Sequence, residues 1–229
     1  MNTDVVLLCG GMGSRLQSVV NDRPKPMAEI GGRPFLDILM DYVGSFGFRR
    51  FILCTGYMGE NIRRHYQGKD SPVEVLLSRE DKPLGTAGAI KNAQSLIKSR
   101  EFLVMNGDCF CRFDLNLFLD FHIHKKALIT IALVKKKKTA DVGVVSLDAA
   151  QRITGFSEKK GDPASVGLIN TGTYIFNQEV LSSIPLGTSY SLEYDLFPKL
   201  DNCYGYVTQS NLIDIGTPVG YATAKKLLS

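Results

Sequence analysis

The chain has 229 residues, 44% of them hydrophobic, and a formal net charge of +4 at pH 7. That length and apolar content suit one α/β domain with a sizeable buried sheet. The mild positive balance suits small anionic substrates but lacks the clustered basic face that nucleic acid requires, and no run approaches 18 consecutive apolar residues, so neither a nucleic acid nor a membrane is an expected partner.

The first element is the apolar run Val5-Val6-Leu7-Leu8-Cys9, short and β-branched enough for a buried strand. It empties into Gly10-Gly11-Met12-Gly13-Ser14-Arg15-Leu16, with three glycines in four residues. Glycine lets a backbone approach a ligand closely, and successive N–H groups in such a turn form a concavity for phosphate oxygens. Arg15 adds a bidentate fork, and Lys25, in Arg23-Pro24-Lys25-Pro26-Met27, adds a compact point charge. Strand, loop and cations make a nucleotide triphosphate cradle. The dinucleotide fingerprint fails for want of a third glycine, and the Gly-Lys-Ser/Thr end of a P-loop is absent.

Residues 34–46 read as a helix, 51–55 as a strand, 59–66 as a short amphipathic helix and 73–77 as a third strand. This alternation predicts βαβ units and a mainly parallel sheet, whose ligands bind beyond the carboxyl ends of the strands. The loop after the third strand carries Glu80 and runs through Pro83-Leu84-Gly85-Thr86 into a helix over 87–98. A carboxylate accepts from two adjacent donors, which guanine offers on N1 and N2, whereas uracil and thymine offer one donor between two acceptors. If a nucleobase meets Glu80, as the resemblance described below implies, the chemistry leans toward guanine, although backbone groups can also read a base.

The fourth strand, 102–105, ends in Asn106-Gly107-Asp108 and places a carboxylate at the expected ligand edge. Cys109-Phe110-Cys111 is a C-x-C with no second pair to complete a zinc site. The odd total of five cysteines argues for free thiols in a reducing compartment, and with no secretory leader a cytoplasmic location is expected. A helix over 115–124 follows. His122 and His124 stand at i, i+2 and share no helix face, so neither is read as a ligand or base. Strands are expected over 127–134 and 142–147, with the run Lys135-Lys136-Lys137-Lys138 as a solvated loop. Glu158 and Lys159 lie in a turn-rich charged segment, and 167–176 is a strand interrupted by glycine, which often marks close ligand approach. Ser191 caps an acidic helix through Lys199, with Glu193 and Asp195 read as structural. A short strand ends at Asp214, and Thr217-Pro218 starts the last helix.

The ordered set L-x-x-G-G-x-G-[ST]-R-L, P-K-P, P-L-G-T-A-G, N-G-D and D-I-G-T-P resembles the sugar-phosphate nucleotidyltransferases, also called nucleotide-sugar pyrophosphorylases. The resemblance spans nearly the whole chain. It implies a Rossmann-like, mainly parallel sheet with helices on both faces, of the GT-A-like kind. It also implies the reaction of a nucleoside triphosphate with a sugar 1-phosphate to give a nucleotide-sugar and pyrophosphate. Leu8, Gly10, Gly11, Gly13, Ser14, Arg15, Lys25, Glu80, Gly85, Thr86 and Asp108 are then expected at the nucleotide, with Arg15, Lys25 and Asp108 catalytic. Asp108 and Asp214 would hold Mg²⁺. Asn106, Gly107, Glu158, Lys159, Asn170 and Gly172 would meet the sugar phosphate.

Within the family the pattern looks most like the guanylyltransferases that join GTP to D-glycero-α-D-manno-heptose 1-phosphate for surface polysaccharides. Mannose 1-phosphate guanylyltransferases and N-acetylmuramate 1-phosphate uridylyltransferases are the alternatives. Asn211-Leu212-Ile213 stand where aromatic residues are common in the family, which leaves the sugar-side wall open. Nothing resembling a left-handed β-helix follows the last helix, so a single nucleotidyltransferase domain over 1–229 is expected. A homo-oligomer is left open. A reading from another class, a silent ligand-sensing subunit of the same fold, is disfavoured by the intact Lys25, Asp108 and Asp214.

Overall fold

The structure, a computed structural model, describes residues 2–68, 71–137, 143–157 and 166–228. Strand β1 (Asp4–Leu8) leads through the glycine loop and a turn at Lys25–Met27 to the small hairpin β2 (Glu29–Ile30) and β3 (Arg33–Pro34). Then come α1 (Phe35–Ser45), β4 (Arg50–Thr55), α2 (Gly59–Tyr66), β5 (Glu74–Arg79), α3 (Gly85–Asn92) and β6 (Glu101–Asn106). Next are β7 (Cys109–Cys111), α4 (Leu115–Lys125), β8 (Ile129–Lys137), β9 (Val144–Leu147), β10 (Ile153–Ser157) and β11 (Val166–Asn177). β12 (Cys203–Thr208), β13 (Leu212–Asp214) and α5 (Pro218–Leu227) complete the order.

The centre of the main sheet is parallel: β6, β1, β4 and β5 lie side by side, as the βαβ pattern predicts. The long strand β11 then pairs antiparallel with β6, β8 and β9, and β12 lies parallel to β8. Alternate residues of the central strands feed two cores. Val5, Leu7, Phe51, Leu53, Leu103 and Met105 face α1, α2, α4 and α5. Val6, Ile52, Phe102 and Val104 face α3 and the turns at 178–200. Helices therefore cover both faces, and full burial on both sides explains why these strands read as unbroken apolar runs.

Two expected helices are shorter or differently wound. The helix expected over 87–98 stops at Asn92 and gives way to a 3₁₀ turn at Gln94–Leu96. The Lys98 and Ser99 N–H groups donate instead to the buried Asp4 carboxylate, at 2.5 and 2.8 Å, which turns the chain out of the helix. The segment after Ser191 is a π turn at Leu192–Leu196 followed by a 3₁₀ turn at Phe197–Lys199. Pro198 has no N–H to continue an α-helix, and the Asp195 carboxylate folds back to accept from the Ser191 N–H at 2.8 Å. Ser191 itself caps as expected, its hydroxyl accepting from the Glu193 and Tyr194 N–H groups. The lysine run departs from a loop: Lys135–Lys137 extend β8 against β11.

Candidate active site

The carboxyl ends of β1, β4, β5 and β6 open onto a cavity of about 690 Å³. Leu8, Gly10, Gly11, Lys25, Glu80, Gly85, Thr86, Asn106 and Asp108 line it, together with Tyr57. Gly13 does not reach the cavity. It adopts φ +67° and lies under Lys25, so that a β-carbon there would stand 2.6 Å from Lys25 Cγ. Ser14 is exposed and lines neither this cavity nor its neighbour.

Glu80 is held with its carboxylate over Gly10 and accepts from the Leu84 N–H at 2.9 Å. Burial raises its pKa above the ordinary glutamate value, and the Leu84 N–H pulls against that rise. Gly85, at φ +69°, is pressed against the Tyr190 carbonyl as well as facing the cavity. The Thr86 hydroxyl is already engaged: it accepts from the Leu192 N–H at 2.8 Å.

A second cavity of about 750 Å³ adjoins the first, and Asn106 lines both. Arg15, Cys109, Asn170, Gly172 and Asp214 open onto it. Arg15 thus faces this second cavity and does not line the first. Gly107 lines neither: it is buried, and a β-carbon there would meet Cys9 Sγ and the Leu8 carbonyl at 2.9 Å. Gly107, expected at a sugar phosphate, is thus packed beneath the cavities. The Asn170 carboxamide is bound within its own strand, donating to the Tyr174 hydroxyl and accepting from the Gly172 N–H, both at 2.8 Å. Glu158 and Lys159 lie outside the described residues.

The same cavity holds side chains whose sequence context gave no functional signal. Glu193 lines it, accepting from the Ser191 hydroxyl at 3.0 Å. Lys135 and Lys136 line it from the end of β8, and Asn211 and Leu212 from the approach to Asp214. Their common signal is non-local: strands far apart in sequence end at one place.

Between the cavities β13 pairs antiparallel with β7, setting Asp214 opposite Cys109. The Ile215 N–H donates to the Asp108 carbonyl at 2.9 Å, and the Gly216 N–H to Asp214 Oδ1 at 2.7 Å. Lys25 Nζ stands 3.2 Å from Asp108 Oδ2. A β-carbon on Gly216 would lie 2.7 Å from Asp214 Oδ1, 3.0 Å from Lys25 Nζ and 3.4 Å from Asp108 Oδ2, so three charged groups converge on one hydrogen-only residue. Ligand atoms of Asp108, Cys109 and Asp214 all lie within 4.8 Å of one another. Two carboxylates at that spacing fit a hard divalent cation that completes its shell with water and phosphate oxygens.

The sequence profile of the nucleotidyl transferase family matches residues 4–229. The chain belongs to that family. Members generally use a divalent metal. This nucleotidyl transferase is 36% identical over 98% of its length to a D-glycero-α-D-manno-heptose 1-phosphate guanylyltransferase of Aneurinibacillus thermoaerophilus, covering 98% of that protein. It is 35% identical over 94% of its length to the mannose-1-phosphate guanylyltransferase of Mycobacterium tuberculosis, of which it spans 61%. The crystal structure of HddC from Yersinia pseudotuberculosis complexed with GMP-PN superposes with a TM-score of 0.88 at 35% identity, covering 99% of this chain and all of that one. Among the described residues no helix is long and apolar enough to cross a membrane.

Proposed function

We propose that this nucleotidyl transferase joins GTP to D-glycero-α-D-manno-heptose 1-phosphate, giving GDP-heptose and pyrophosphate. The observation that carries the reading is the pair of adjoining cavities, with Lys25, Asp108 and Asp214 converging where they meet. Likeness over the full length of a heptose 1-phosphate guanylyltransferase supports the choice of sugar. The nucleotide occupies the first cavity. Its base meets the Glu80 carboxylate, which accepts from guanine N1 and N2, and its phosphates run past the Gly10 and Gly11 amides. The sugar phosphate enters from the second cavity, beside Arg15 and Asn106.

A sugar-phosphate oxygen then attacks the α-phosphorus in line. The bond from that phosphorus to the bridging oxygen breaks, and pyrophosphate leaves with the electron pair. Such transfer needs positioning and charge stabilisation more than covalent help. Lys25 meets the negative charge that grows on the transferred and leaving phosphates. Asp108 and Asp214 would hold Mg²⁺, which supplies Lewis-acid polarisation of the phosphate oxygens when bound. Five unbonded cysteines fit a reducing, cytoplasmic setting.

The test is pyrophosphate release with Mg²⁺ from four nucleoside triphosphates against a panel of hexose and heptose 1-phosphates. Preference for GTP with the heptose supports the reading. Preference for GTP with mannose 1-phosphate keeps the base and changes the sugar, an outcome that the 35% identical mannose enzyme makes worth including. No turnover from folded, nucleotide-binding protein rejects it in favour of the silent-subunit alternative.

A further inference from the structure

We infer that Cys109 is a third ligand of the centre formed by Asp108 and Asp214, and that it makes this centre a high-affinity site for a thiophilic divalent ion, zinc above all, in competition with magnesium. The inference rests on the carboxylate-pair reading given above. The thiol lies next to Asp108 in sequence and opposite Asp214 in the β7–β13 register. Its sulfur is 3.5 Å from Asp108 Oδ1, and the three ligand atoms share a span of 4.8 Å. Cys109 opens onto the second cavity, so an ion has a path to it. Among the described residues Cys109 is the cysteine whose sulfur groups with the two carboxylates, and Cys111, two residues on, is buried against Val134 and Ile169 instead.

The donor set separates two classes of ion. Magnesium takes oxygen ligands and leaves the sulfur unused. Zinc binds thiolate and carboxylate together and keeps a position open. As the sulfur–metal bond forms, the thiol proton passes to solvent. The consequence is a nucleotide-free enzyme that zinc occupies and magnesium does not displace.

Cobalt(II) reports both ligand types. Titrated into the nucleotide-free protein, it is expected to give a near-ultraviolet sulfur-to-cobalt charge-transfer band that saturates at one equivalent and is displaced by zinc. Cys109→Ser and Cys109→Ala, each checked by thermal melting, should lose the band and bind zinc at least about tenfold more weakly, close to 1.4 kcal/mol. Asp108→Asn should weaken cobalt binding as well. Visible cobalt bands with no near-ultraviolet band would overturn the sulfur ligand and leave the carboxylate pair standing. A charge-transfer band that survives Cys109→Ser would overturn it too, by assigning the sulfur elsewhere. No cobalt binding at all would remove both the inference and the carboxylate reading beneath it.

Discussion

Lys25 is the residue on which the proposed chemistry turns. Its stem fills the space that Gly13 leaves open, and its ammonium stands 3.2 Å from Asp108. A cation so held meets charge that develops in the transition state, so Lys25→Ala should lower kcat about a hundredfold or more with little change in KM. Steady-state pyrophosphate release measures this, and a loss confined to KM would reassign Lys25 to ground-state binding. Asp108→Asn should abolish turnover while leaving the melting temperature close to that of the parent. Glu80 offers a third test. Glu80→Gln turns one of the two acceptor oxygens into an NH2 donor that faces a guanine N–H, so kcat/KM for GTP should fall about tenfold or more and that for UTP should change less. Burial holds this carboxyl above the ordinary glutamate value of 4.5. Protonation removes an acceptor, so affinity for GTP should weaken as pH falls toward that raised value.

At the scale of an element, α4 carries a titratable group in an apolar place. It starts at Asp114, whose carboxylate accepts from the Asn116 and Leu117 N–H groups, and it ends at Lys126 in a left-handed conformation. His122 is buried beneath it with Nδ1 2.8 Å from the Thr130 hydroxyl, while Nε2 has no partner among the described residues. Burial lowers the pKa of this imidazole from 6.5 to about 4. The unfolded chain therefore binds a proton between those values that the folded chain does not, and folding stability falls as pH drops from about 6.5 to about 4. The loss is of order 3 kcal/mol at its fullest. Denaturant melts at pH 7 and pH 5 should show a smaller pH difference for His122→Phe than for the parent.

At the scale of the molecule, Asp4 pins the amino-terminal edge of the sheet. It accepts from Arg50 at 2.5 Å on β4 and from the Lys98 and Ser99 N–H groups ahead of β6. Burial alone would raise its pKa, but these donors outweigh it and leave the pKa below 3.8. The stability it contributes is present above the unfolded carboxylate pKa and is lost as pH falls through the folded one. Asp4→Ala should cost about 3 kcal/mol in urea unfolding while specific activity of the folded enzyme stays near the parent value, because the site lies at the opposite ends of the strands. This division also marks what was legible in advance. The strands around Val5-Val6-Leu7, Phe51-Ile52-Leu53 and Phe102-Leu103-Val104 are buried on both faces, so each announces itself locally. The glycine loop, Lys25, Glu80 and Asp108 are carried on short turns from those strands and were readable for the same reason. The antiparallel arm of β11, the seat of Glu193 and the lysines at the end of β8 depend on pairings between distant segments, which no local pattern encodes. The ends of α3 and of the turn after Ser191 were misjudged because side chains of Asp4 and Asp195 claim backbone donors that a helix would otherwise use.

The pairing of β13 with β7 sets a clock on the enzyme. Asp108 leaves the ribosome with the first half of the chain, but the strand that carries Asp214 emerges about a hundred residues later, and closing so long a loop is an entropic cost that only the finished sheet offsets. The start of α3, which lines the nucleotide cavity, also waits for Tyr190 and Leu192 to arrive and hold it. Competence for turnover should therefore come only with the last stretch of the chain to be made.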